Sequence, residues 1–443
     1  MVTFIIRDYP DLDHIFPVMH HFLKKNERIT VLNFEISFDL KSDPKIVFLN
    51  KNYTNDLIIY DVFNIKGKRF LVDRLINFLS SPKYKKINFK NLADIKKKNS
   101  FFNLYFLLLI CFLKRVIFSS KTLFENFFFD DKWAENIVNK LDINSLVIDD
   151  SYYFYFNRPQ SLINICKFKK INITIIPHTC AMYSRKEDME KLKLKNLKDF
   201  YPSLVVTSEK NKSLLNSCGM HHSKLKNLGS ARFSQENISL LDVIHGIDKE
   251  SYKNNKIKKK LNVLYIDGAY DNKYEKNILI DQVSKLPFIN LIVKAHPRGM
   301  FLSNQLGVKE KQFKKNNFSN FSIDIVTPTK KLIEYSDIVI GTYTSVLIDA
   351  MLSYKKIILP KYFLNDESFD IFYEEHGFAE VCGNLKQVIS FLMAFKKNEF
   401  IKQDIKDKTN KYIHDYVYGG HVNSSEMLEK YYQLIKQPDS HGR

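Results

Sequence analysis

The sequence predicts an α/β protein built from two doubly wound, Rossmann-like domains. Short apolar runs alternate with helix-like segments, as in α/β proteins. The alternation forms two series, which a lysine-rich polar stretch at residues 248–260 separates. The chain has 443 residues, of which 45% are hydrophobic. That length exceeds a single ordinary core, so two domains are expected.

The first series of apolar runs predicts the strands of an N-terminal domain spanning residues 1–247. These runs are residues 2–6, 29–34, 57–60, 145–148, 171–176 and 204–207. A polar turn at 7–13 and a helix at 14–23 follow the first run, as expected at the start of a parallel layer. Residues 65–140 have few strand signals and predict a helical insertion.

The second series predicts a C-terminal domain at residues 261–402. Its apolar runs are residues 261–266, 290–294, 323–326, 338–340 and 356–359. The segment between the two series is interpreted as the interdomain linker because it is polar and dense in lysine. Residues 403–443 predict helices that cross back to the first domain.

The charge balance favours anionic partners. Sixty-eight Lys and Arg residues outnumber 49 Asp and Glu residues, which gives a formal charge of +19 spread along the chain. Sugar nucleotides, acidic polysaccharide, an anionic membrane leaflet and nucleic acid all suit such a charge, and so does mere solubility. Nucleic acid is disfavoured, because the aromatic residues lie in apolar runs and not in a basic, aromatic-bearing strand.

Cysteine usage and the N-terminus predict a cytoplasmic protein. The cysteines are odd in number and lack the Cys-x-x-Cys spacing, which argues against disulfides or a zinc site; they are Cys111, Cys166, Cys180, Cys218 and Cys382. Arg7 and Asp8 interrupt the segment where a signal peptide would be apolar. The apolar run at 104–113 is too short to span a bilayer and predicts a core helix. Its aromatic and basic flanks leave an interfacial helix, and thus peripheral contact with the inner membrane, as the alternative.

Two segments of the second domain predict binding of a phosphate group. One strand runs into Lys294-Ala-His296-Pro-Arg298, where an imidazole and two basic side chains are available to an anion. Another strand runs into a Gly-Thr-x-Thr-Ser turn that opens a helix and contains Thr342, Thr344 and Ser345. The alternatives are that His296 ends a strand and that the hydroxyls only cap the helix.

These two segments carry a resemblance. Lys-x-His-Pro, followed along the chain by Asp-Ile-Val-Ile-Gly-x-x-(Ser/Thr)-Ser-x-x-x-(Asp/Glu)-Ala, resembles the donor half of GT-B glycosyltransferases of bacterial surface polysaccharide synthesis. The nearest groups are CDP-glycerol glycerophosphotransferases, Kdo transferases and bacterial sialyltransferases. The resemblance covers residues 200–385 and implies two Rossmann-like domains that face a central cleft. It also implies that His296 and the Ser/Thr pair bind the nucleotide of a CMP- or CDP-activated donor.

The resemblance implies further donor-side residues. Gly229-Ser-Ala-Arg232-Phe resembles the Gly-x-x-Arg element of CDP-glycerol transferase-like chains, which implies that Arg232 contacts the donor phosphates. Glu375 lies where such enzymes often place an acidic residue for ribose or sugar hydroxyls. An exposed charged turn is the alternative for Glu375, and an ordinary surface arginine is the alternative for Arg232. Asp267-Gly268 resembles part of an acidic sialyltransferase motif, but Ile266 replaces its first acidic residue, so a plain turn is an alternative to a general base.

Acidic residues and a histidine follow strands of the first domain and are candidates for catalysis on the acceptor side. Asp149 and Asp150 follow one strand and His178 follows another. Glycosyl transfer needs a base for the acceptor hydroxyl or a carboxylate that stabilises an oxocarbenium ion or acts as nucleophile. Asp13 and His14 are candidates for acceptor binding, and helix capping is the alternative for the aspartates.

The sequence therefore predicts a metal-independent glycosyltransferase that needs no bound cofactor. The predicted donor is a CMP-activated ulosonic acid such as CMP-Kdo or CMP-sialic acid, and the predicted acceptor is a capsule, O-antigen or lipid-linked glycan. A CDP-glycerol or polyol-phosphate transferase is one alternative. A sugar-nucleotide epimerase of similar fold is another, and it would need no acceptor.

Overall fold

The computed structural model describes most of the two predicted domains. The described residues are 1–7, 9–34, 39–62, 129–150, 160–178, 201–247, 260–268, 273–294, 321–324, 327–342, 344–363, 377–396, 402–420 and 424–436. Most of the predicted insertion, the apolar run at 104–113 and the predicted linker up to residue 259 lie outside them. So do three predicted site residues, His296, Arg298 and Glu375.

The chain divides into two compact units. The first contains Met1–Ile176 together with Tyr432–Arg443, and the second contains Pro177–Tyr431. Among the described residues, one sheet has the strand order β3-β2-β1-β4-β5-β6-β7 and another has the order β10-β9-β8-β11-β12-β13. The resolved strand pairings of both sheets are parallel. The predicted pair of doubly wound sheets is therefore confirmed.

The elements up to β7 alternate between strands and helices. The strands are β1 (Val2–Ile6), β2 (Ile29–Asn33), β3 (Leu57–Asp61), β4 (Ser145–Asp149), β5 (Asn172–Ile176), β6 (Ser203–Val206) and β7 (Leu225–Asn227). The helices are α1 (Tyr9–Lys24), α2 (Pro44–Asn52), α3 (Asp131–Lys140), α4 (Gln160–Phe168) and α5 (Glu209–Ser217). All five residues of β1 are buried, as are those of β2 and β4. Continuous burial is typical of central parallel strands that are covered on both faces.

The elements from α6 onwards form the second sheet and the C-terminal helices. The strands are β8 (Leu261–Ile266), β9 (Ile289–Lys294), β10 (Phe321–Asp324), β11 (Ile338–Gly341), β12 (Lys356–Pro360) and β13 (Ala379–Cys382). The helices are α6 (Gln235–Ile244), α7 (Lys273–Ser284), α8 (Thr329–Tyr335), α9 (Val346–Leu352), α10 (Leu385–Lys396), α11 (Lys402–Tyr412) and α12 (Ser424–Lys436). Short 3₁₀ turns lie at Leu40–Ser42, His222–Lys224, Ala231–Phe233 and Lys361–Phe363, and a π-helix lies at Ile413–Val417.

The structure differs from the predicted elements in several places. The predicted polar turn at 7–13 is wrong, because α1 already begins at Tyr9. Pro10 is compatible with this position, because backbone N–H groups of the first helical turn have no acceptor within the helix. Strand β10 lies two residues earlier than predicted. The strands β7 and β13 were not predicted, because each is short, lies at the end of its sheet and carries polar residues.

The C-terminal helix α12 reaches the first unit. The Tyr432 hydroxyl donates to Glu27 Oε1 at 2.8 Å, and Lys436 Nζ lies 2.8 Å from the same carboxylate oxygen. The Asn172 side-chain amide donates to the backbone carbonyls of Leu434 and Ile435, at 3.1 Å each. The two bonds from Asn172 satisfy backbone carbonyls of the last turn of α12, which have no partner within the helix.

In the part of the chain that the structure describes, no helix combines the length and the apolar character needed to cross a membrane.

Candidate functional site

The centre of the second sheet brings several predicted site residues to one edge. The strand order changes direction between β8 and β11. At the ends of these strands, Ile266 of β8 pairs with Gly341 of β11 on one side and with Lys294 of β9 on the other. Asp267 and Thr342 directly follow β8 and β11. Ligands of open α/β sheets bind at the carboxyl ends of the strands where the order reverses, so this edge is the candidate nucleotide site.

Arg232 connects the 3₁₀ turn at Ala231–Phe233 to the segment after β11. Its Nη1 atom donates to Ser345 Oγ at 3.0 Å, and its Nη2 atom lies 3.2 Å from Asp349 Oδ2. The Arg232 side chain is 14% exposed and that of Asp349 is 25% exposed. A guanidinium that stays charged and partly open to solvent can donate several hydrogen bonds to phosphate oxygens.

The hydroxyl residues after β11 cap α9 only weakly. Ser345 occupies the cap position of α9, but its side chain accepts no hydrogen bond from the helix. Thr344 Oγ1 accepts from Val346 N at 3.4 Å, which is long for such a bond. Thr342 is buried, with 4% of its surface exposed. The capping alternative thus does not account for the Ser345 hydroxyl, whose bonded partner is the Arg232 guanidinium.

Lys294 holds the neighbouring turn together. Its Nζ atom donates to the Thr327 carbonyl oxygen at 2.7 Å and lies 3.9 Å from Asp324 Oδ1. Burial lowers the pKa of this lysine, and the Asp324 carboxylate opposes that shift. Thr327 N in turn donates to the same Asp324 oxygen at 2.7 Å. These bonds give Lys294 a structural role at the ends of β9 and β10, and its contact with a phosphate stays a prediction.

Asp267 forms a buried ion pair with Lys276 of α7. The Asp267 and Lys276 side chains are only 4% and 6% exposed, and the ammonium group donates to Asp267 Oδ1. Asp267 N also donates to the Lys294 carbonyl oxygen at 3.0 Å, next to the end of β9. A carboxylate held by a buried ammonium is a poor proton acceptor, so this pairing favours a structural role over the predicted general base.

A second group of acidic residues lies where the order of the first sheet reverses, between β1 and β4. Asp149 ends β4, Asp150 follows it, and both are fully buried, as is Asp11 of α1. Carboxylate oxygens of Asp11 and Asp149 lie within 4.8 Å of each other. The Arg7 backbone N–H and Nη2 both donate to the Asp11 carboxylate, at 3.0 and 3.3 Å.

The Arg7 guanidinium weakens this arrangement as a cation site. Two carboxylates this close repel each other when both are ionised, and the Arg7 guanidinium offsets part of that repulsion. The guanidinium also repels a metal ion at Asp11. Asp149 stays a predicted candidate for accepting a proton.

The remaining predicted residues of the acceptor side are less informative. Asp13 lies in α1 and pairs with Lys45 Nζ at 2.8 Å. His14 is 3% exposed and thus packs into the interior. His178 lies two residues beyond the end of β5 and is partly exposed. Their roles in catalysis and acceptor binding stay predictions.

Comparison with known structures tests the fold. Neisseria meningitidis UDP-GlcNAc 2-epimerase bound to UDP-GlcNAc matches with a TM-score of 0.54 and 11% identity, covering 98% of this chain and 99% of that chain. Anabaena HepE in complex with UDP and glucose matches with a TM-score of 0.52 and 9% identity, covering 98% and 99%. A glycosyltransferase from Rickettsia africae matches with a TM-score of 0.51 and 12% identity, covering 98% and 97%. The chain has a GT-B-type fold.

The sequence itself has no comparable match. No protein-family profile matches this chain, and no curated protein sequence does. At identities this low the similarity establishes the fold and nothing finer.

Two residues at the candidate nucleotide site were not predicted from the sequence. Asp349 lies four residues after Ser345, a spacing that places both on one face of a helix, and this spacing is the signal that was available. Lys276 is one of many lysines, and its position in α7 gives no sign that it is buried against Asp267. The ion pairs of both residues join separate segments of the chain, so the sequence did not predict them.

Proposed function

We propose that this chain is an enzyme that acts on a nucleotide-activated sugar and holds the donor's phosphates with Arg232 and Ser345. The observation that carries the proposal is the guanidinium of Arg232, which lies beside the hydroxyl-rich segment after β11. A phosphate there would accept hydrogen bonds from a charged group that is already ordered by Ser345 and Asp349. Such a group also stabilises the negative charge that develops on the phosphate when the sugar leaves.

The proposed reaction is glycosyl transfer. A general base accepts the proton of the acceptor hydroxyl, and Asp149 stays a predicted candidate for that role. The hydroxyl oxygen then bonds to the anomeric carbon, and the bond from that carbon to the phosphate oxygen breaks. The departing nucleotide keeps the electron pair of that bond, and Arg232 stabilises its charge. The acceptor is a glycan or a lipid-linked glycan, as the motifs predict.

A sugar-nucleotide 2-epimerase is the second candidate. It is favoured by the similarity to the epimerase from Neisseria meningitidis and to UDP-GlcNAc 2-epimerase from Methanocaldococcus jannaschii, with a TM-score of 0.53 and 12% identity over 98% of this chain and 99% of that chain. The same phosphate-binding residues serve both reactions. The two differ in whether an acceptor is required.

The nucleotide of the donor is proposed to be uridine diphosphate. Anabaena HepE is described in complex with UDP, and the epimerase from Neisseria meningitidis in complex with UDP-GlcNAc. CMP-activated ulosonic acids and CDP-glycerol remain the alternatives that the sequence motifs suggest.

A two-stage experiment tests these proposals. Thermal shift with UDP, CDP, CMP and GDP comes first, because a ligand at a hundredfold its dissociation constant adds about 2.7 kcal/mol to the folded state. UDP-GlcNAc and UDP-glucose are then incubated with the enzyme alone, and release of UDP and of free sugar is measured. Inversion of the sugar at C2 in the mixture without acceptor, followed by NMR, supports the epimerase, whereas product formation that requires added glycan supports the transferase. No stabilisation by any nucleotide would contradict both.

A further inference from the structure

The backbone that carries Arg232 is bonded to the C-terminal part of the same unit. Ser230 N donates to the Val417 carbonyl oxygen at 2.7 Å. The Tyr431 hydroxyl donates to the Gly229 carbonyl oxygen at 2.6 Å and is buried. The residues just before Arg232 are thus fixed by a part of the chain that lies about two hundred positions later in the sequence.

The residues that flank Arg232 on its other side are fixed as well. The Tyr418 hydroxyl donates to the Phe233 carbonyl oxygen at 3.0 Å. The Phe233 ring is fully buried in the apolar core of the second sheet. The Asn237 side-chain amide donates to the Arg232 carbonyl oxygen at 2.6 Å. Both carbonyls around Arg232 therefore have side-chain donors, which fixes the direction in which its side chain leaves the backbone.

The two segments approach each other so closely that glycine is required in both. Gly229 has φ +78°, and an added Cβ would lie 2.8 Å from the carbonyl carbon of Tyr418. Gly419 has φ +62°, and a Cβ there would lie 2.5 Å from Asn227 Oδ1 and 2.9 Å from Gly229 N. Only glycine combines this conformation with so little space.

A π-helical turn delivers Tyr418 to this contact. The turn at Ile413–Val417 follows α11 directly, and Tyr418 N donates to the Ile413 carbonyl oxygen at 2.9 Å. Ile413 and Val417 are buried in the core of the second sheet, so the turn is anchored. A π-turn has poorer hydrogen bonds than an α-helix and is found mostly where it places a residue for function.

We propose that Tyr418 is a positioning residue for Arg232. Tyr418 follows the π-turn, and its hydroxyl fixes the Phe233 carbonyl. This bond orients the Arg232 guanidinium for the nucleotide phosphate before the ligand binds. The inference rests on the proposed function, since it concerns the same phosphate-binding arginine. Ordering a long side chain in advance reduces the entropy lost on binding, so the contact strengthens nucleotide binding without touching the nucleotide.

A double-mutant cycle tests this role. UDP binding is measured by calorimetry for the wild type, Tyr418→Phe, Arg232→Ala and the double variant, well below the unfolding temperature. Tyr418→Phe removes one oxygen and keeps the ring, and it is expected to weaken binding about 3- to 10-fold, the loss typical of one hydrogen bond. In the Arg232→Ala background the same change should have no further effect, because Tyr418 acts through that arginine.

A matched control separates positioning from general loss of a hydroxyl. Tyr354→Phe removes a hydroxyl that donates to Asn410 Oδ1 at 3.0 Å in the same unit, on an exposed residue. This variant should bind UDP like the wild type. Wild-type affinity in Tyr418→Phe, or a full additional loss in the Arg232→Ala background, would overturn the positioning role.

A second readout needs no nucleotide and keeps the two proposals distinguishable. In crystals of the wild type, the Arg232 guanidinium is expected to keep its bond to Ser345 Oγ. In crystals of Tyr418→Phe, it is expected to lose this bond or to become disordered. An unchanged Arg232 in the variant would overturn the positioning role. Absence of nucleotide binding by the wild type would instead overturn the proposed function, and the crystals would then decide the positioning role alone.

Discussion

At the scale of residues, Arg232 is the side chain on which the proposed function depends most. It lies in a 3₁₀ turn outside the strands, and the resemblance to CDP-glycerol transferase-like chains was the only sequence signal for it. The bonds to Ser345 and Asp349 give that signal a physical basis, because they order a charged, phosphate-binding group beside the end of β11.

Arg232→Ala is predicted to weaken nucleotide diphosphate binding by about 1.5 to 3 kcal/mol, the range for hydrogen bonds to a charged group. Arg232→Lys should recover only part of this, since an ammonium cannot replace the planar fork of donors. Calorimetric titration with UDP gives both values. Arg28→Ala, which changes an exposed arginine of the first unit, is the control and should leave the affinity unchanged.

The ion pair between Asp267 and Lys276 gives a separate prediction about stability. Lys276→Met leaves a buried carboxylate without its cation, and the free energy of unfolding is expected to fall by about 3 to 5 kcal/mol. Lys285→Met, directly after the same helix, breaks an exposed pair with Asp281 and should cost no more than about 1 kcal/mol. Urea unfolding followed by circular dichroism compares them. Equal losses in the two variants would show that Asp267 does not depend on Lys276.

At the scale of elements, the sequence predicts the central strands well and the edges poorly. The bounds of β1 and β8 agree with the apolar runs at both ends, because central parallel strands are buried along their whole length. Strands β7 and β13 carry Lys226 and Glu380 on partly exposed surfaces, so hydrophobicity does not distinguish them from loops.

The site was predictable to a similar degree. Thr342 and Asp267 were placed correctly at the ends of strands, because strand ends can be recognised where an apolar run stops. The partners of these ends were not predictable, since Asp267 with Lys276 and Arg232 with Asp349 depend on how helices pack onto the sheet. Sequence periodicity contains no information about such contacts.

The packing of α1 on α2 makes stability depend on pH. Burial, followed by the charges of Lys24 and His21, lowers the pKa of His20 to about 4. The His20 ring lies 6.0 Å from the Phe48 ring and 5.9 Å from the Tyr53 ring. Between pH 6.5 and about 4 the unfolded chain takes up a proton that the folded state refuses, so stability falls as the pH falls through this window.

His20→Gln is therefore predicted to reduce the loss of stability on acidification. The urea midpoint is measured at pH 7 and pH 5 for the wild type and the variant. The drop between the two pH values should be smaller in the variant, while all other titrating groups contribute equally to both proteins. An equal drop would mean that His20 is protonated alike in the folded and unfolded chains.

At the scale of the whole molecule, the C-terminal helix ties the end of the chain to the first unit. The Tyr432 ring packs 4.8 Å from the Phe22 ring, and Ile435 is fully buried. The bond from Lys436 lowers the pKa of Glu27, and the Tyr432 hydroxyl adds to this effect. The predicted crossing back of the C-terminal helices is thus confirmed.

Deletion of residues 424–443 is predicted to destabilise the protein. It removes buried aromatic and aliphatic side chains, each of which contributes about 2 to 5 kcal/mol when it fills a core. The free energy of unfolding in urea should fall by at least about 3 kcal/mol. Deletion of residues 437–443 alone is the control and should have little effect. Equal stability of the two truncated chains would show that α12 contributes nothing to the first unit.

The most direct test of the central claim is a crystal structure of the protein with UDP bound. We expect the diphosphate to accept hydrogen bonds from the Arg232 guanidinium and to lie against Ser345 at the carboxyl end of β11. A diphosphate bound elsewhere, with the Arg232 guanidinium still bonded to Ser345 and Asp349, would contradict the account.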